Sequence, residues 1–161
     1  MEISDLLDEN SILIDLHGSN KNDILAQMVR FMAARHGLPN ADLITRKINE
    51  REVLASTGIG FGIAIPHARV DTVDRIRLVA ARSSTGVDFD AIDGLPVRII
   101  FMMISPSTST EHTAVLSSLS HAVSDEDTRS NLCSASTPKE FLELLTKRRY
   151  DREAVRKSKS A

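Results

Sequence analysis

The chain has 161 residues, 42% of them hydrophobic and 26% charged, an ordinary globular balance that fits one domain. A net charge of −2 provides no basic field for nucleic acid, and 4% aromatics with no Trp leave few rings on which a base or a sugar could stack. One cysteine, Cys133, excludes an internal disulfide and a zinc site built on several thiolates. The longest apolar run, residues 99–104, falls far short of the ~18 that a membrane span needs. Acidic residues follow Met1 where a signal peptide would be positive, so the expected compartment is the cytosol.

In chain order, a first strand is expected around Ile12, Leu13 and Ile14. Helical spacing opens at Ser19, read as an N-cap, and runs through Ile24, Leu25, Met28, Phe31 and Met32. It stops at Gly37, with Pro39 just beyond. A second helix is expected over about 41–55. Short apolar stretches at 63–65, 76–81 and 97–104, each bounded by Gly, Pro or Asp, read as buried strands. Three helices follow: one over about 109–123, one after Ser124, and one opened by the capping box Thr137-Pro138-Lys139-Glu140. This order predicts an α/β fold, a mixed β-sheet flanked by helices. From Lys147 onward seven basic side chains oppose only Asp151 and Glu153, a net +5 that leaves −7 on the remainder. Residues 148–161 are therefore read as a basic, solvated and flexible tail, with a docking arm for an acidic partner as the alternative.

Five histidines are candidates for chemistry. His36 falls in the last turn of a helix, where its positive form suits the macrodipole, and His17 lies in a polar turn. On the 109–123 helix, His112 shares a face with Leu116, Leu119 and Val123 and points inward; His121 points outward. On the second helix, Arg51 lies within the stripe Ile44, Ile48 and Ala55. A guanidinium cannot shed its charge, so it needs an anionic partner, a snorkelling path or an open cleft. His67 ends the segment Gly58-Ile59-Gly60-Phe61-Gly62-Ile63-Ala64-Ile65-Pro66-His67, where a short strand delivers it to a C-terminal end. The alternate glycines suit a sharp turn or a close ligand, but they match neither a phosphate-binding Walker loop nor a dinucleotide fingerprint.

Phosphoryl transfer connects His67, His112 and Arg51. A neutral imidazole is a nucleophile near pH 7 and takes a phosphoryl group on one ring nitrogen while the other donates to an orienting acceptor. An arginine and a second imidazole supply positive charge around the oxygens. The competing use of two inward histidines, metal binding, lacks an obvious third ligand.

The residues that carry this reading also resemble a known family. Glu52, then Ile59-Gly60, then Ile63-Ala64-Ile65-Pro66-His67-Ala68 fill every fixed position of a signature. It resembles that of the fructose/mannitol/nitrogen-type enzyme IIA of the bacterial phosphotransferase system. The likeness extends through residues 90–97 to the C-terminal capped helix, so that residues 1–147 form the expected domain and the basic tail lies outside it. The resemblance implies the family's mixed sheet flanked by helices. It implies that His67 accepts a phosphoryl group on its tele nitrogen, that Arg51 neutralises phosphoryl oxygens and that His112 supports. The implied donor is a histidine-containing phosphocarrier protein (HPr or its nitrogen-type equivalent), and the implied partners are regulatory targets or a IIB domain. No cofactor, metal, nucleic acid or direct sugar binding is implied. The wording at 56–60 and 90–93 is closer to the nitrogen-regulatory branch, although Phe61 stands where a polar residue is common there. A free-standing sugar IIA and a phosphorylation-independent binding module are the alternatives.

Overall fold

The computed structural model describes residues 1–159, those at 148–157 by backbone alone. The elements in order are α1 (Ile3–Leu6), a 3-10 turn, β1 (Ile12–Ile14), α2 (Lys21–His36), α3 (Ala41–Leu54), β2 (Gly58–Gly60), β3 (Ile63–Ala64), β4 (His67–Arg69), β5 (Arg77–Val87), β6 (Val97–Ser105), α4 (His112–Ala122), α5 (Glu126–Ser134) and α6 (Pro138–Lys159). They form the expected mixed sheet with helices on it. The antiparallel pair β5–β6 is its spine; β1 adds parallel to β5, and β3 adds parallel to β6 with β2 antiparallel outside it.

Strand β6 is apolar on both faces because both are covered. Its residues alternate between two cores. Ile100, Met102 and Ile104 pack with Ile24, Met28 and Met32 of α2 and with Ile44 and Ile48 of α3. Ile99, Phe101 and Met103 pack on the other face with Val115 and Leu119 of α4, Leu132 of α5 and Phe141 of α6. The sheet is thus the middle of three layers, with α3 and α4 on opposite sides.

Several boundaries differ from the sequence reading, for local reasons. The α2 N-cap is Asn20, whose side chain accepts the Asp23 N–H at 2.9 Å; Ser19 one residue earlier donates its own N–H to the Asp23 carboxylate. At its other end Gly37 adopts φ 61°, the left-handed cap its lack of a Cβ permits. Strand 76–81 continues to Val87. The 109–123 helix starts only at His112, because the carbonyls of Pro106, Ser107 and Ser109 accept from the Arg69 guanidinium. At α6, Thr137 Oγ accepts the Glu140 N–H, but the Glu140 carboxylate returns to Ser136 instead of closing the box on Thr137. Helix α6 runs on past residue 147 to Lys159; the tail's side chains at 148–157 and residues 160–161 lie outside the described residues.

The strand expected at 63–65 stops at Ala64. Pro66 has no N–H and breaks the ladder, and the chain re-pairs with β6 as β4, His67 opposite Met103. His67 therefore opens a second short strand on the same edge of β6; it does not end the first.

Candidate active site

His67 is half-buried at this break. The Pro66 carbonyl accepts the Met103 N–H at 3.0 Å and fixes the segment on β6. The ring's Nδ1 lies 2.8 Å from the Ile65 carbonyl oxygen. A carbonyl only accepts, so Nδ1 carries the proton and the neutral ring's lone pair is on Nε2. Burial lowers the pKa of His67 below the usual imidazole value; the Ile65 carbonyl opposes this, the Arg51 charge adds to it and Glu52 opposes it. The ring is neutral at pH 7.

His112, the first residue of α4, is buried as its helical spacing predicts, whereas His121 is exposed. Its ring lies 5.5 Å from that of His67, edge to face at 64°. Its Nδ1 is 2.6 Å from Ser105 Oγ. Burial first, then the charges of Arg69 and His67, push the His112 pKa down to about 4. Two neutral imidazoles thus stand together.

Arg51 reaches the same place from α3. The buried stripe of α3 is Ile44, Ile48 and Glu52, not a stripe containing Arg51 and Ala55, because the helix ends at Leu54 and Ala55 is already extended. Arg51 stands beside the stripe, half-buried, with Nη1 donating to the Ala55 carbonyl at 3.1 Å and no ion pair to it among the described residues. Of the options open to an inward arginine, the cleft is the one realised. That cleft, about 380 Å³, is lined by Lys47, Glu50, Arg51, Leu54, His67, Ala68, Arg69 and His112, and Glu50 pairs with Lys47 at 3.1 Å. With Lys47 and Glu50 offsetting each other, Arg51, Arg69 and two neutral imidazoles make a surface for an oxyanion.

Two contributors are absent from the sequence reading. Arg69 ties down the 106–109 loop ahead of α4 and brings a charge beside His112; its position two residues after His67 on one strand was the available signal. Glu52 was read only as a signature position. Its buried carboxylate accepts the Thr57 N–H at 2.8 Å and the Thr57 hydroxyl at 2.6 Å, and pairs with Lys21 Nζ at 2.7 Å. Lys21 also donates to the Phe89 carbonyl, as Ser56 does, so the turn leading to β2 is clamped from two sides. The glycines at 60 and 62 serve a turn. With Phe61 they take positive φ in the β2–β3 hairpin, where Asp93 accepts the Phe61 N–H at 2.7 Å and Arg129 lies 4.6 Å from the Phe61 ring. His17 pairs with Asp15 on the surface. His36 does sit in the last turn of α2, but burial lowers its pKa and disfavours the positive form expected there.

The family model for the phosphoenolpyruvate-dependent sugar phosphotransferase system EIIA 2 matches residues 5–148. A PTS system fructose-specific EIIA component from Haloferax volcanii is 42% identical over 60% of this chain and 63% of its own length, so the chain spans less than two thirds of that relative. A nitrogen regulatory protein from Pseudomonas aeruginosa is 30% identical over 90% of this chain and 95% of its own. The crystal structure of nitrogen regulatory protein IIA-Ntr from Neisseria meningitidis superposes with a TM-score of 0.83 at 33% identity, covering 89% of this chain and 99% of that one.

Proposed function

The chain belongs to the EIIA type-2 family of the phosphoenolpyruvate-dependent phosphotransferase system, and on that premise we propose that it is a phosphocarrier that accepts a phosphoryl group on Nε2 of His67. The donor is a histidine-containing phosphocarrier protein. The observation that carries this reading is the bond from His67 Nδ1 to the Ile65 carbonyl, which leaves Nε2 with the lone pair. In the transfer, the donor's P–N bond breaks as the Nε2–P bond forms. No proton has to leave, because Nε2 is already bare and Nδ1–H keeps its bond to Ile65 as the ring becomes positive. Arg51 and His112 face the phosphoryl oxygens, and transfer asks the protein mainly for this placement of charge.

The regulatory branch is favoured over the sugar branch because the nitrogen regulatory IIA structure matches over nearly the full length of both chains at 33% identity, against 25% for a mannitol IIA of similar coverage. Regulation then works through target proteins that distinguish phosphorylated from free His67, in the cytosol where the donor resides. The 42% identity to the Haloferax fructose component keeps the second reading, a sugar IIA that hands the group to a separate IIB domain. None of the described helices is long and apolar enough to cross a membrane.

The test is intact-mass analysis after incubation with phosphoenolpyruvate, enzyme I and a phosphocarrier protein. The wild type gains one acid-labile phosphoryl and His67→Ala gains none. If neither gains one while a control acceptor does, the chain is a phosphorylation-independent binding module.

A further inference from the structure

Resting on the reading of His67 as acceptor, we propose that Ser105 is a positioning residue whose hydroxyl fixes His112 in the tautomer protonated on Nε2, so that His112 offers a phosphoryl group on His67 a hydrogen-bond donor and not a lone pair.

Ser105 closes β6 and is wholly buried. Its carbonyl accepts the Val70 N–H at 2.8 Å and it pairs with Arg69 across the sheet, so its side chain is held where the sheet meets α4. The Oγ–Nδ1 contact of 2.6 Å is compatible with two proton placements. If His112 Nδ1–H donates to Oγ, the hydroxyl's own hydrogen needs another acceptor, and Ser105 Oγ has no other hydrogen-bond partner among the described residues. A buried donor left unpaired is costly. If the hydroxyl donates to Nδ1, both groups are satisfied and the neutral ring must carry its proton on Nε2. Among the described residues no carboxylate pairs with His112 to draw in a second proton, and its neutrality at pH 7 agrees with its lowered pKa.

The two imidazoles 5.5 Å apart are then opposite tautomers. His67 has Nδ1–H on Ile65 and a bare Nε2; His112 has a bare Nδ1 on Ser105 and an Nε2–H. One ring can take phosphorus while the other bonds to its oxygens, and neither has to exchange a proton first. With the other tautomer, a lone pair of His112 would oppose an anionic oxygen.

The experiment is 15N NMR of the histidine rings at pH 7, without any donor, on the wild type and on Ser105→Ala, followed by phosphoryl-transfer rates for both. The expected result is His112 protonated on Nε2 in the wild type, loss of that preference in Ser105→Ala, and roughly tenfold slower transfer to the variant. His112 protonated on Nδ1 in the wild type overturns the proposal. So does an unchanged tautomer in Ser105→Ala, whatever its rate, since a packing role would slow transfer without moving the proton. Absence of phosphoryl acceptance by the wild type overturns it together with the reading of His67. The donor-free tautomer spectrum tells that failure apart from the others.

Discussion

Nδ1 of His67 is held by the Ile65 carbonyl and Nδ1 of His112 by the Ser105 hydroxyl, so in each of these cleft-lining rings Nε2 is the nitrogen left for a ligand. Arg51 is different: one guanidinium nitrogen is tied to its own helix end and the rest of the fork is free for a planar, two-pronged contact. Arg51→Lys should therefore slow phosphoryl transfer by about tenfold or more, because an ammonium cannot reproduce that contact. His112→Ala should slow transfer without abolishing it; rapid-quench kinetics with a fixed donor would measure both. The histidines also predict an acid sensitivity. His112 has an unfolded pKa near 6.5 and a folded one of about 4, so between these values the unfolded chain binds a proton that the folded chain does not. Stability is thus full above about pH 6.5 and is lost as pH falls toward 4, by about 2–3 kcal/mol from this residue. Urea unfolding at pH 7 and near pH 4.5 should show the loss, and His112→Gln should shrink it. At this scale His67 and His112 were legible because a signature and a helical period single them out. Ser105 was not, since nothing in its own neighbourhood sets it apart from other strand residues, and Arg69 was marked only by standing two residues after His67 on one strand.

Among the elements, α3 illustrates why an apolar pattern locates a helix better than it orients its last turn. Its inward face ends on a carboxylate, Glu52, that an apolar stripe does not anticipate and that only the distant Lys21 makes tolerable. The pair is nearly dry, with the two side chains 18% and 6% exposed, so removing one partner strands a buried charge. Lys21→Met should cost about 3 kcal/mol and loosen the Thr57 turn that Glu52 holds, by denaturant unfolding. A cost within about 0.5 kcal/mol would mean that the pair is effectively solvated. The break at Pro66 was visible as a residue but not as an event. That a strand resumes on the same neighbour after the break depends on β6, whose register no local pattern contains.

For the whole molecule, the mixed sheet flanked by helices followed from the order of elements, but their distribution over its two faces did not. That distribution rests on the β5–β6 pairing and on which alternate residues of β6 each helix covers. It matters because the cleft draws Arg51 from one outer layer, His112 from the other and His67 from the sheet between. A phosphoryl group held by all three binds the folded state alone and opposes the opening of either layer. Amide hydrogen exchange should accordingly slow in both α3 and α4 on phosphorylation, and slowing confined to one of them would mean that the other side chain does not engage the group.

The dependence of His67 on β6 has an outcome for the life of the molecule. His67 is synthesised before the strand that shapes its surroundings: residues 97–105 and the start of α4 come later in the chain. Before they fold against it, His67 lacks both its pairing with Met103 on the sheet edge and the second ring beside it. On the reading of His67 as acceptor, a chain in which β6 has not yet folded lacks this arrangement, and phosphoryl acceptance becomes a report that the sheet is complete.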